Sequence, residues 1–218
     1  MRNLLVFSLL IIAALSMTRC SKDDGTNNAI YNALGTVKIS DDSTIVILDN
    51  NQRMLVKNVD KLSSAPKNGV RINAYFSIVS EKDPNIELIV NLLSWEQLLF
   101  KPVSKLTSIN SDSLGTDPIN ISRVWVAHNY LNVSFSFYAY NNSHTFDLAR
   151  VMSNTRTDTI TLEIRHNADK DDLSNLYNGV MTFDLSSLKS TAADSVVLDI
   201  RAKQYENRTY QDFFIYKY

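Results

Sequence analysis

The chain has 218 residues, 44% of them hydrophobic, and a formal net charge of −1 at pH 7. The charge balance disfavours nucleic-acid binding, because phosphate contacts need a surplus or a cluster of lysine and arginine, and 22 basic residues stand against 23 acidic ones. A single cysteine excludes internal disulfides and thiolate metal sites, so the fold must depend on apolar cores.

The amino-terminal residues resemble a bacterial lipoprotein leader. Arg2 precedes an apolar run at residues 4–15, which ends shortly before Cys20. The run is too short for a bilayer span of roughly 20 apolar residues, but it fits the ~7–15-residue core of a secretory signal. We therefore predict that residues 1–19 are a signal peptide and that Cys20 is lipidated and anchors the protein to a membrane.

Arg19 departs from this pattern, since small residues usually precede a lipidated cysteine. The alternative is a soluble secreted protein that is cut nearby and keeps a free thiol at Cys20, which is a liability in an oxidising compartment. Residues 21–24 (SKDD) resemble the acidic tract that directs Bacteroidetes lipoproteins to the outer face of the outer membrane. This tract predicts an outer-membrane location that faces the cell surface.

The segment 20–34, which begins with the lipidated cysteine, is mostly polar and predicts a flexible tether. Residues 35–107 then contain short runs of alternating apolar and polar side chains, which are typical of a small β-barrel domain. Asparagine and aspartate at 49–51 predict a hairpin turn. Residues 94–106 stay ambiguous between a strand and a short helix. The expected strands lie at 36–39, 44–48, 54–56, 70–78 and 86–90.

A second domain is predicted after residues 108–118, which are rich in serine, asparagine and aspartate and indicate a linker. Residues 119–218 favour an antiparallel β-sandwich, because each run has one apolar and one polar face. The clearest run is 130–140, where every second residue is apolar. Further strands are expected at 145–151, 159–165, 196–203 and 209–218. The predicted fold class is all-β.

Four segments carry a family resemblance: residues 121–126 (ISRVWV), 130–135 (YLNVSF), 162–168 (LEIRHNA) and 183–188 (FDLSSL). With the leader and the all-β first domain, they resemble the NigD-like proteins of Bacteroidetes over essentially the whole mature chain. The resemblance implies an OB-type barrel followed by a β-sandwich. It implies no established activity, but the family's association with bacteriocin gene clusters makes a bacteriocin-immunity lipoprotein one hypothesis.

No residue pattern predicts catalysis. The sequence has neither a Gly-x-Ser-x-Gly nucleophile motif nor a phosphate-binding glycine loop, so we predict no enzyme and no cofactor. A metal-dependent hydrolase would need His128, His144 and His166 to converge on zinc, and their wide spacing argues against a metal site. In the structural alternative, His166 and Asn167 bond the following loop. Residues 169–172 (DKDD) favour a solvated turn over a calcium loop.

Tyrosines on the polar face of the run at 130–140 are the candidate partner surface. Tyr130, Tyr138 and Tyr140 share that face, and Trp125 extends it. Rigid aromatic rings bury a large area at low entropic cost, which suits a protein or glycan partner. The alternative interpretation is that the linker or the first domain covers these tyrosines.

Ser113 is a candidate modification site. The triplet Asp112-Ser113-Leu114 resembles the O-glycosylation sites of exported Bacteroidetes proteins, and the predicted linker makes it accessible. Taken together, the residues favour a non-catalytic lipoprotein held on the outer membrane through Cys20, which binds an unknown protein or glycan partner.

Overall fold

The structure is a computed structural model that describes residues 29–40, 43–83, 87–152 and 158–218. The predicted leader, Cys20 and most of the tether lie outside the described residues. Within the described ranges, no helix is both long enough and apolar enough to cross a membrane.

Five strands close into a small barrel in the order β1-β2-β3-β5-β4. The β3–β5 pair is parallel and the other four pairs are antiparallel. Side chains along β2 alternate between the two faces of the barrel wall. Val46 and Leu48 are buried inside, while Ile45 and Ile47 lie outside and are partly exposed. The small barrel expected for the first domain is confirmed. Its strands are β1 (Tyr31–Ser40), β2 (Ser43–Leu48), β3 (Arg53–Val56), β4 (Arg71–Asp83) and β5 (Glu87–Gln97).

The hairpin turn predicted at 49–51 joins β2 to β3. Asn51 adopts a left-handed backbone with φ 71°, which asparagine tolerates better than most residues. The Leu48 amide donates to the Gln52 carbonyl at 2.9 Å, and the Asn51 amide donates to the Leu48 carbonyl at 3.0 Å. The turn fixes the position of Asp49, whose carboxylate reaches the second domain.

Two sheets form the second domain, in the orders β6-β12-β9-β8 and β14-β13-β11-β10-β7. Their inner faces enclose one apolar core, which includes Leu131, Leu148, Leu162 and Phe183. Three pairs are parallel, namely β6–β12, β7–β10 and β11–β13. The predicted β-sandwich is confirmed, but these three parallel pairs make its sheets mixed and not purely antiparallel as expected. Its strands are β6 (Leu99–Pro102), β7 (Ser104–Lys105), β8 (Asn120–Ala127), β9 (Tyr130–Ala139), β10 (Thr145–Arg150), β11 (Thr159–Asn167), β12 (Asn175–Asp184), β13 (Ser195–Lys203) and β14 (Thr209–Lys217).

Strand pairing places the boundary between the two domains earlier in the chain than the sequence predicted. Residues 99–105, which the sequence placed in the barrel domain 35–107, form β6 and β7 and pair with β12 and β10 of the sandwich. The chain therefore passes between domains at Leu98, which is buried and donates its amide to the Arg71 carbonyl at 3.0 Å. Sequence pattern misses this transfer because β6 and β7 are very short and pair with strands far along the chain.

Residues 108–118 lie on the sandwich instead of joining two domains. They include the short helix α1 (Ser111–Leu114), whose carbonyls at Ser111 and Ser113 accept hydrogen bonds from Arg165 and Asn167 of β11. Gly115 has φ 69°, and a Cβ there would lie 2.6 Å from the Asn167 Cα. The segment is thus held tightly against β11, and the close approach requires glycine.

Candidate functional site

A buried polar cluster joins the barrel to the sandwich. Arg71 of β4 is 2% exposed, and its guanidinium donates to Asp49 Oδ1 at 2.8 Å and to Asn132 Oδ1 of β9 at 2.9 Å. The same guanidinium lies 4.6 Å from the centre of the Tyr130 ring. We call this cluster, with Trp125 and Thr182, the joint. The barrel therefore packs on the outer face of β9, where Asn132 is fully buried.

The Asp49 carboxylate is the centre of the joint. Its Oδ2 accepts from the Trp125 indole at 3.0 Å and from the Asn132 amide at 3.2 Å, and Thr182 donates to Asn132 Oδ1 at 2.8 Å. A buried charge that loses its partner destabilises a protein strongly. The role of the joint follows from this geometry: it fixes one domain on the other.

The four residues of the predicted partner surface separate into two groups. Trp125 and Tyr130 belong to the joint and contact the barrel, which is the alternative interpretation given above. Tyr138 is partly buried, with its ring 5.4 Å from that of Tyr205 in an edge-on contact. Tyr140 is 57% exposed. Only Tyr138 and Tyr140 are placed where a partner could reach them.

Two leucines that sequence reasoning missed extend this second group. Leu176 of β12 pairs directly with Tyr138 of β9, so both lie on the outer face of the sheet. Leu176 is 53% exposed, and Leu173, in the loop before β12, is 61% exposed. We call Tyr138, Tyr140, Leu173 and Leu176 the far patch. The apolar leucines were not singled out because β12 was not predicted as a strand.

Two histidines and an aspartate lie beneath the far patch. His144 Nδ1 lies 2.8 Å from His166 Nε2, and His144 Nε2 lies 3.1 Å from Asp171 Oδ2. His166 Nδ1 lies 3.2 Å from the Pro118 carbonyl, and its ring stacks on Phe146 at 4.7 Å. The result is a continuous hydrogen-bonded chain from a carboxylate to a carbonyl.

Hydrogen-bond counting assigns the protons in this chain. A carboxylate and a carbonyl only accept, so His144 Nε2 and His166 Nδ1 must both donate. In the contact between the two rings, one ring nitrogen donates a proton to the other. Burial lowers the pKa of His166 to about 4, and the neighbouring His144 adds to this effect.

Asp171 connects this cluster to the far patch. Its carboxylate accepts from the backbone amides of Tyr140 at 2.6 Å and Asn141 at 3.1 Å. Burial acts to raise the pKa of Asp171, but these amide bonds and the His144 bond outweigh it and hold the pKa well below its usual range. The acidic turn at 169–172 thus positions Tyr140.

The three histidines do not converge. His128 lies at the opposite end of β9 from the cluster and has its Nε2 3.1 Å from the Leu48 carbonyl of the barrel. A ten-residue strand separates the two ends by about 30 Å. Among the described residues, no group of three or more histidine, cysteine, aspartate or glutamate side chains could hold a metal ion.

An open depression of about 1000 Å³ lies beside the starts of β11 and β13. Its described ionisable lining comprises Arg150, Asp158 and Lys189, with the Tyr218 phenol. Glycoside hydrolysis in its common form needs two carboxylates, and this lining supplies one. The depression therefore gives no support to a hydrolase.

Ser113, the candidate glycosylation site, lies in α1. Its hydroxyl donates to the Asn110 carbonyl at 3.0 Å in an exposed position. Glycosylation at this residue stays a prediction.

Two family models match the chain and together cover both domains. The NigD-like N-terminal OB domain matches residues 34–95, and the NigD-like C-terminal beta sandwich domain matches residues 101–215. The gap between the two matches includes Leu98, where strand pairing places the domain boundary.

Solved structures share this two-domain fold. A Parabacteroides distasonis protein described as toxin-related has 24% identity and a TM-score of 0.73, with 87% of this chain and 94% of that one covered. A NigD-like immunity protein of Bacteroides caccae has 15% identity and a TM-score of 0.67, with coverage of 89% and 99%. A Bacteroides fragilis protein described as a lipoprotein has 12% identity and a TM-score of 0.63, with coverage of 87% and 98%. No curated protein sequence matches the chain significantly.

Proposed function

This chain belongs to the NigD-like family, and we propose that it is a lipid-anchored protein of the outer membrane that binds a partner at the cell surface and performs no catalysis. The leader that ends at Cys20 and the acidic tract after it support the anchor and the surface location. The similar B. fragilis structure is described as a lipoprotein, which also supports the lipid anchor.

The far patch is the observation that carries the binding proposal. Tyr140, Leu173 and Leu176 are each more than half exposed although they are large and apolar. Clustered exposed apolar residues mark interaction sites more often than single ones do. Asp171 fixes the backbone at Tyr140, so the surface is rigid before a partner arrives, which lowers the entropic cost of binding.

The proposed partner is a protein or a glycan, because tyrosine faces suit both classes. Catalysis is not part of the proposal, since neither the joint, the histidine cluster nor the open depression combines a nucleophile or a metal set with a general base. Each polar cluster bonds to backbone or to another domain and has a structural role.

Affinity capture of the lipidated protein from native outer membrane tests the proposal. We compare the wild type with a Tyr140→Ala/Leu176→Ala variant and with a Phe213→Ala/Ile215→Ala control, whose residues are equally exposed on β14 of the other sheet. The far-patch variant should lose a recurrent partner by about tenfold or more, and the control should keep it. Equal capture by all three proteins would overturn the proposed surface.

Protease treatment of whole cells tests the location separately. A surface-facing lipoprotein should be degraded in intact cells, together with loss of the captured partner. Full protection in intact cells, with degradation only after the envelope is opened, would place the protein inside the envelope and contradict the surface assignment.

A second candidate function is bacteriocin immunity, favoured by the description of the B. caccae structure as a NigD-like immunity protein. On this hypothesis the partner is a toxin. A deletion strain should then become sensitive to bacteriocins of neighbouring strains, and the Tyr140→Ala/Leu176→Ala variant should fail to restore resistance. Unchanged sensitivity of the deletion strain would reject immunity and leave binding in general untouched.

A further inference from the structure

Strand β12 has an open edge next to the far patch. On one side it pairs with β9 along its whole length, from Asn175 opposite Ala139 to Asp184 opposite Tyr130. On its other side it pairs with β6 only at residues 181–184. Residues 175–180 therefore have no strand partner on that side within the described part of the chain.

This open edge lacks the features that proteins use to block unwanted strand pairing. Such features include charged residues, proline and β-bulges on the edge strand. Residues 175–180 (NLYNGV) contain no charge and no proline, and their register with β9 is unbroken. Residues 175–178 are exposed. The edge is regular and accessible.

The other long edge strands of the sandwich do carry protection. β8 has a register shift between Ile121 and Arg123 and an exposed arginine at that point. β14 carries Asp212 and Lys217. Unprotected edges are a liability for aggregation, so an edge that alone among these three is left open indicates a use.

Apolar side chains flank the open edge on both faces of the sheet. Leu176 lies on the outer face beside Tyr138, and Tyr177 lies on the inner face with its ring 5.8 Å from that of Phe137. A strand added beside β12 would place alternate side chains against these two surfaces. The occupant must therefore be extended, and apolar on both faces.

We propose that residues 175–180 form a strand-addition site that takes an extended, uncharged segment of about six residues from a partner protein, which spans about 20 Å. The inference rests on the proposed binding function and specifies its partner as polypeptide. β6 ends the site, since it already occupies the same edge at residues 181–184. The incoming segment lies in line with β6.

A second copy of this chain fits the site less well. An antiparallel copy of β12 that pairs over all six residues would bring its own residue 174 onto the position of β6. A partner segment that ends, or turns away from the sheet, where β6 begins avoids this clash, and the length of the open edge matches such a short segment.

The experiment is a selection of random hexapeptides displayed on phage against the immobilised mature protein, followed by binding of the synthetic peptides. Enriched peptides should be uncharged and rich in β-branched or aromatic residues. N-methylation of one alternate set of peptide amides should weaken binding at least about tenfold, and N-methylation of the other set should leave it nearly unchanged, because only alternate amides face β12. Within residues 175–180, backbone amide exchange should slow at the alternate residues whose amides face the open edge.

Three results would overturn the inference: no enriched peptide, equal sensitivity to both N-methylated sets, or protection outside residues 175–180. Concentration-dependent dimerisation that protects these residues would also overturn it, by assigning the edge to a second copy. The capture experiment above remains a separate readout, because a partner lost on Tyr140→Ala while no peptide binds the edge would retain the proposed function and reject strand addition.

Discussion

Strand β9 has the same alternating pattern at both ends, yet its outer face has opposite properties there. At the Tyr130 end, Asn132 is fully buried and bonded to Arg71 of the barrel. At the other end, Tyr140 is 57% exposed beside two exposed leucines. The difference teaches that the outer face of a strand is covered where another domain supplies matching polar groups, and stays exposed where no such groups meet it.

The largest effect is expected from a substitution that disrupts the joint at the covered end of β9. Asp49→Ala should lower the free energy of unfolding by about 3–5 kcal/mol, because it leaves the buried Arg71 charge without its carboxylate. Urea denaturation measures the change. Glu206→Ala is the control, since its bond to Arg208 is exposed, and it should change stability by less than about 0.5 kcal/mol. Equal losses in both variants would contradict the role given to the joint.

The next effect concerns the histidine cluster under the far patch. The pKa of His166 falls from 6.5 in the unfolded chain to about 4 in the fold. Below pH 6.5 the unfolded state binds a proton that the folded state resists, so stability should decrease as the pH falls toward 4. The slope from this group approaches about 1.4 kcal/mol per pH unit.

Unfolding curves of the wild type and His166→Gln between pH 6.5 and 4 check this prediction. The variant should have a flatter pH dependence, and parallel curves would contradict a buried neutral His166. Ring-nitrogen NMR at neutral pH is an independent control, in which His166 should carry a proton on Nδ1 alone.

A smaller effect on stability is expected from substitutions in the far patch, at the exposed end of β9. Tyr140→Ser with Leu176→Thr should change the free energy of unfolding by no more than about 0.5 kcal/mol, because exposed side chains without buried contacts contribute little. Thermal and urea unfolding give the value. A loss well above 1 kcal/mol would mean that the far patch supports the fold and is not held free for a partner.

The smallest effect on stability is expected at Ser113. Ser113→Ala should leave unfolding unchanged and should remove a glycan from protein purified from its native envelope. Intact-mass spectrometry of the native and variant proteins measures the difference. Native protein that has only the mass of its polypeptide and lipid would reject glycosylation at this residue.

Local alternation predicted much of the fold. The run at 130–140 and the hairpin turn at 49–51 were confirmed as β9 and the β2–β3 turn, since each depends on residues adjacent in sequence. β12 was missed because its first half is exposed on both faces and shows no alternation. The transfer of β6 and β7 was missed because parallel pairing with distant strands leaves no local signal.

The candidate site was predicted only in part. Alternation placed Tyr130 and Tyr138 on one face, but the position of the barrel decides which of them is covered. Arg71 and Asp49 gave no signal, because a charged residue on an outer strand face and an aspartate in a turn are both common. His144 lies next to His166 because Phe146 opposes His166 in the register of the β10–β11 pair. The sequence does not indicate this register.

Photo-crosslinking in living cells tests the central claim most directly. A photoreactive amino acid is placed at Tyr140 in one strain and at Tyr130 in another, so that both ends of β9 are compared on the same face. We predict an intermolecular crosslink from position 140 and only crosslinks to the barrel from position 130. An intermolecular product from position 130 alone, equal products from both, or none from either would contradict the assignment of the far patch as the binding surface.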